Sequence, residues 1–349
     1  MSRDLISAVF HVDNCPLYCY EHFNMLDDGN AWWIKENVLW LPRSKRLRLV
    51  KRHPSRLANK MLDSWKKQFS LKQLSLQHDK PITFVVSQWQ REPKPSIVYL
   101  VYRWAIAIIF FVTFVISIID LKHPDASSSF RAKWLIYLTN WGYTMCTLQA
   151  LLAAIMLSIC VLAPYLHSKP NLESSALKLH KFYWVTNVVG TDIAFGVTSL
   201  YWSLIYDEKS MDLDAMNFFV HANNSILMMI DLFVVAHPIR LLHCCYPIVF
   251  GICYALFSVI FYAAGGISRE GKVFIYNILD WSKPGITSAV CIAVLGFLVI
   301  VHIICWALHK LRLWISSKYL IKEDKGLKEG EIEPSKAAYV NEGLASDMV

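Results

Sequence analysis

MNFFVHANNSILMMIDLFVVA, residues 216–236, is long and apolar enough to cross a bilayer, yet it carries His221, Asn223, Asn224, Ser225 and Asp231. An unpaired polar group in hydrocarbon costs on the order of several kcal/mol, so these side chains require partners on other helices. One such helix cannot supply them alone. The stretch therefore implies a bundle of spanning helices with a polar interior.

Composition agrees. Of 349 residues 55% are hydrophobic and 18% charged, and the mean hydropathy is +0.35, outside the range of ordinary soluble domains. About 20 apolar residues at ~1.5 Å rise span a core of ~30 Å. Six stretches meet that length: 97–119, 134–162, 182–206, 216–236, 246–264 and 286–309. Pro95 and Ser96 precede the first, Pro164 and Pro238 follow the second and fourth, Gly265 and Gly266 follow the fifth, and Pro284 introduces the sixth. The expected fold is an all-α six-transmembrane helical bundle over 96–310, with an N-terminal segment at 1–95 and a tail at 311–349. Residues 1–20 contain Arg3, Asp4, His11 and Asp13 and do not read as a cleavable signal.

Orientation follows from the basic residues. Within residues 40–67, ahead of the first span, Arg43, Lys45, Arg46, Arg48, Lys51, Arg52, Arg56, Lys60, Lys66 and Lys67 face one acid, Asp63. Lys310, Arg312, Lys318 and Lys322 follow the last span, so both termini are expected in the cytoplasm. The basic run adjoins a membrane helix and is flanked by Trp32, Trp33, Trp40 and Trp65. Residues 43–67 are thus expected to meet the anionic inner leaflet rather than nucleic acid. The tail after 322 is charged and poor in large apolar residues, the composition of a disordered segment.

The nine cysteines form no disulfide framework. His11, Cys15 and Cys19 lack the second pair that a zinc site needs, and no metal is expected. Cys244 and Cys245 stand at the cytoplasmic start of the fifth span beside Arg240, a setting compatible with S-palmitoylation. No cofactor motif is present in the chain.

The expected orientation makes the second and fourth spans run in the same direction. Thr139 and His221 each lie five residues into their spans, roughly 7 to 8 Å below the outer end, and so share a depth. Asn140 accompanies Thr139, Asn224 and Ser225 follow His221 at i+3 and i+4, and Asp192 in the third span can hold the imidazole if the helices adjoin. A desolvated neutral histidine can take the proton of a threonine hydroxyl, so Thr139 and His221 are candidates for nucleophile and base in acyl transfer. Asn140 or Asn224 would then donate to the oxyanion, and Ser225 is the alternative nucleophile. Such groups also serve their own backbone or join helices. Arg103, six residues into the first span, either pairs with Asp231 at matching depth in the fourth or snorkels to the headgroups. His302 is read as structural. The sequon Asn223-Asn224-Ser225 falls inside a span and is discounted.

Three segments carry a resemblance. ITFVVSQWQREPKPSIVYLVYRWAIAIIFF at 82–111, WLIYLTNWGYT at 134–144 and HANNSILMMIDLFVVAHPIR at 221–240 resemble rolling stone and rolling stone-like proteins, and the similarity covers most of 82–310. It implies a plasma-membrane protein with a role in cell fusion such as myoblast fusion. The core is also distantly similar to the androgen-induced and androgen-dependent TFPI-regulating proteins, which hydrolyse fatty acid esters of hydroxy fatty acids with an intramembrane threonine and histidine. Tyr137-Leu138-Thr139 matches their F-L-T context. Val220-His221-Ala222 stands where they have N-H-G, so the flanking asparagine and glycine are absent. Two function classes follow: an intramembrane lipid-ester hydrolase using Thr139 and His221, or a non-enzymatic membrane protein in cell contact or fusion. Transport is disfavoured because no internal repeat is evident.

Overall fold

The computed structural model describes residues 66, 68–121, 123–162, 177–206 and 215–327, with side chains as far as 319. The basic run before residue 66, the His11, Cys15 and Cys19 group, the acidic loop at 207–214 and the tail beyond 327 lie outside the described residues. Among the described residues no strand occurs, and five helices are long and apolar enough to cross a membrane.

The first, α1, spans Ile97–Ile119. Ser96 caps it by accepting from the Tyr99 amide at 3.2 Å, satisfying one of the donors a helix start leaves open. It stops at Asp120, whose φ of 54° lies in the left-handed region that a side chain with local hydrogen bonds tolerates best. Arg269 and His123 each bind the Asp120 carboxylate at 2.9 Å and hold it there. The α1 start defines the basal end of the bundle, and its finish the distal end.

Helix α2, Leu138–Leu162, begins later than residue 134 because Lys133–Ile136 is a 3-10 turn and Tyr137 is extended. Asn140 fastens this entry by donating to the Trp134 carbonyl at 2.7 Å. Helix α3, His180–Leu200, continues as a π turn over Tyr201–Ile205. The fourth expected span is a helical run in three pieces: Ala215–Phe218, a π turn at Phe219–Asn223, and α4, Asn224–Val234. A 3-10 turn at Leu241–Cys244 leads into α5, Cys245–Ala263. Helix α6, Pro284–Leu327, opens on proline, whose fixed φ and missing amide suit a first turn.

Two boundaries differ from expectation. Helix α6 does not end near 310, since Arg312 is fully buried and Lys310 and Lys318 lie over the rings of Trp306 and Trp314. The tail boundary at 311 thus falls inside a helix. Residues 82–90, expected in a separate juxtamembrane segment, enter the bundle instead. Phe84 and Val85 are buried, the Gln88 amide donates to Val234 O at 2.9 Å, and Trp89 Nε1 donates to Phe233 O at 2.7 Å. These bonds satisfy carbonyls that the C-terminus of α4 would otherwise leave open.

Helices α2 and α3 are the most enclosed, and α5 and α6 the least. The central pair approaches closely at Gly142, where a Cβ would stand 2.5 Å from Ile193 Cγ2. Basal packing gathers Phe84, Tyr99, Met156, Leu157, Tyr183 and Trp184. A second cluster around Phe110, Tyr143, Cys146 and Met228 fills the middle.

Candidate functional site

Polar groups collect in two places, and the basal one holds the charges. Arg103 and Asp231 are each about 1% exposed, and Arg103 Nη1 donates to Asp231 Oδ1 at 2.7 Å. Tyr102 donates to the same oxygen at 3.1 Å, and Arg103 Nη2 donates to the Tyr183 hydroxyl at 3.1 Å. That hydroxyl also shares a hydrogen bond with His237 Nε2 at 3.0 Å, and His237 stacks on Phe84. Arg312 donates to the carbonyls of Leu232 and His237 at 2.7 and 2.8 Å and to His309 Nδ1 at 2.7 Å. The network ties α1, α3, α4, α6 and residues 82–90 together.

Asp192 departs from its expected role. It could hold the His221 imidazole only if the helices adjoined there; its Oδ2 instead binds His302 Nδ1 at 2.6 Å, while His302 Nε2 lies 3.0 Å from the Arg240 carbonyl. Both ring nitrogens face oxygens, so the imidazole bridges α3 and the turn after α4. Helix α6 is therefore the α3 neighbour at this position. Arg240 lies over the Trp184 ring and reaches Ser75 O and Gln77 O, so the turn after α4 is clamped from two sides.

The distal place is apolar with hydroxyls. A cavity of about 100 Å³ opens among α2, α3, α5, α6 and the connection before α6, and its walls include Thr139, Val197, Tyr201, Ala255, Tyr276 and Val290. The Tyr276 hydroxyl faces Thr139; burial pushes its pKa up to about 12, partly offset by hydrogen bonding from the threonine. Tyr254 also lines the cavity and donates to Ile136 O at 2.8 Å.

His221 is not among the residues lining this cavity. It lies in the π turn before α4 and stacks on Tyr201, ring centroids 3.5 Å apart and nearly parallel. Tyr201 donates to Asn217 Oδ1 at 2.5 Å, and Trp202 Nε1 donates to His221 O at 3.2 Å, so two π turns meet through these side chains. Thr139 and His221 thus have different neighbours, with Tyr201 touching both the cavity and the imidazole. Asn224 accepts from Thr198 at 3.2 Å and from the Ser225 amide at 2.7 Å. Ser225 lies 2.6 Å from the Thr198 hydroxyl and donates to Ala194 O at 2.8 Å. These two groups join α4 to α3, and Asn140 serves the α2 entry. Cys244 and Cys245 are half-buried at the basal start of α5. No group of three His, Cys, Asp or Glu suited to a metal occurs among the described residues.

Sequence reasoning missed Tyr183, His237, Tyr201 and Tyr276. Only His237, beside Pro238 at the end of the polar stretch, carried a local signal.

A family model described as Protein rolling stone matches residues 55–322. Protein rolling stone of Drosophila melanogaster is similar to this chain, 28% identical over 236 residues that cover 66% of this chain and 82% of that protein. No solved structure matches the chain.

Proposed function

The chain belongs to the rolling stone family, and from that premise we propose that it is a non-enzymatic multi-pass membrane protein acting in cell contact or fusion, such as myoblast fusion. The observation that supports a non-enzymatic role is the separation of the catalytic candidates. Thr139 faces Tyr276 in the cavity, His221 stacks on Tyr201 outside its walls, and Asp192 is committed to His302. A base activates a hydroxyl within hydrogen-bond reach, about 2.6–3.2 Å, or through one bridging water, and no hydrogen bond joins these two side chains.

In this proposal the run from 215 to 234 makes a sixth crossing and both termini are cytoplasmic. The protein sits in the plasma membrane, residues 43–67 meet the anionic inner leaflet, and Cys244 and Cys245 accept palmitate there. The test is rescue. Fusion-competent cells lacking the protein should lose fusion and regain it with the wild-type chain and equally with the double variant Thr139→Ala/His221→Ala. Failure of a normally expressed and localised double variant to rescue would count against the proposal.

One observation favours the hydrolase as a second reading: the Thr139 hydroxyl borders an apolar cavity, as a nucleophile for a lipid ester would. It requires Tyr201 to turn aside so that His221 reaches Thr139, with Asn140 or Asn224 released to the oxyanion. Ester turnover abolished by either single alanine substitution would support it.

A further inference from the structure

We propose that the distal cavity binds the head of a neutral single-chain lipid, of the fatty alcohol or monoacylglycerol class, with its hydrocarbon chain leaving between α5 and α6. Three features of the cavity select that ligand. None of its lining residues is charged, so an ionised head would be buried without a counter-ion, at a cost that excludes a fatty acid anion. Polar capacity is confined to hydroxyls, chiefly Thr139 and Tyr276. These can exchange hydrogen bonds with an alcohol or accept and donate around an ester carbonyl. Volume sets the third limit. At about 100 Å³ the cavity is smaller than the ~150 Å³ apolar space that takes a benzene ring, so it admits a terminal hydroxyl with the few carbons that carry it and not a whole lipid.

The exit follows from burial. On the α2 and α3 side the walls Thr139, Ile193 and Val197 are buried, while Leu138, Leu200 and Ile205 nearer the distal end are half-buried. On the α5 and α6 side Ala255, Val290, Cys291 and Val294 are only half-buried, and these two helices are the least enclosed of the bundle. Their outward neighbours Leu256, Ile260 and Ile292 are exposed apolar side chains facing the surroundings of the bundle. A chain leaving along that seam passes directly into hydrocarbon.

The full-length protein in nanodiscs, illuminated with a long-chain alcohol carrying a diazirine near its hydroxyl, reads the site. The label should map to cavity residues on α2, α6 or the 276–279 connection. It should be displaced by 1-oleoylglycerol about tenfold more effectively than by oleate. Ala255→Phe and Val290→Phe fill the space from different helices, and each should reduce cavity labelling about tenfold with the melting temperature retained; either one suffices if the other does not fold. Tyr276→Phe should weaken displacement by 1-oleoylglycerol about fivefold, the loss of one hydrogen bond. Labelling confined to outward residues such as Ile292 and Ile300, or equal displacement by oleate, would overturn the proposal. Release of oleate from 1-oleoylglycerol by the unlabelled protein, suppressed by the alcohol, would leave the binding site standing and remove the non-enzymatic reading.

Discussion

Arg103 and Asp231 show how a single pair can fix a membrane bundle. Two opposite charges withdrawn from water gain little net stability together, because desolvation offsets their attraction, yet removing one strands the other at a cost of about 3–5 kcal/mol. Arg103→Met should therefore lower stability in detergent by that amount, while Arg103→Met/Asp231→Leu recovers most of it; thermal unfolding of the three proteins checks this. Equal losses in the single and double variants would remove the pair from the account. Tyr183→Phe, which takes one acceptor from Arg103 and the hydroxyl partner from His237, should cost about 1–3 kcal/mol in the same measurement. Arg103 and Asp231 were legible as a possible pair because their depths along two oppositely running spans match. The partner of Asp192 is not legible in the sequence, since depth along a helix says nothing about which neighbour the residue faces. His302 and His221 were both available, and the packing of α6 against α3 decided between them.

At the scale of elements, the apolar runs were read well and their interruptions were not. The stretch at 216–236 gave length and polarity, but nothing in MNFFVHANN marks five residues as a π turn. A π turn widens the ring to let two helices keep their contacts, and it depends on the partner: here Tyr201–Ile205, itself π, supplies the ring on which His221 stacks. Tyr201→Ala, which removes the ring that His221 stacks on, should loosen this run and speed amide hydrogen exchange over 217–224 with the rest of the bundle unchanged; unchanged exchange would mean that the π turns are not held by this contact. Gly142 makes a similar point for α2 against α3. A side chain there meets Ile193, and Gly142→Val should destabilise the bundle by about 1–3 kcal/mol in thermal unfolding. Extension of α6 past residue 310 escaped the sequence because Lys310, Arg312 and Lys318 read as the end of a span. Their charges instead lie over tryptophans or, for Arg312, on carbonyls of the chain around α4.

For the whole molecule, composition alone identified a helical membrane protein, and three segments within 82–240 carried the family resemblance that the match over 55–322 then established. Part of that resemblance has a physical basis in the fold. ITFVVSQWQ enters the basal end, stacking Phe84 on His237 and bonding Gln88 and Trp89 to α4 carbonyls, while HPIR supplies His237 and Arg240 to the same place. The two segments meet in space although about 150 residues separate them in sequence. In the proposed topology, with a sixth crossing and both termini cytoplasmic in a plasma-membrane protein, epitope tags at both ends should stain only after the plasma membrane is permeabilised. A tag accessible from outside at either end would break the proposed topology. The non-enzymatic role faces its most direct test in one rate. Purified protein in nanodiscs, given a branched fatty acid ester of a hydroxy fatty acid, should release product no faster than empty nanodiscs and no faster than Thr139→Ala or His221→Ala; turnover by the wild type that both substitutions abolish would contradict the account.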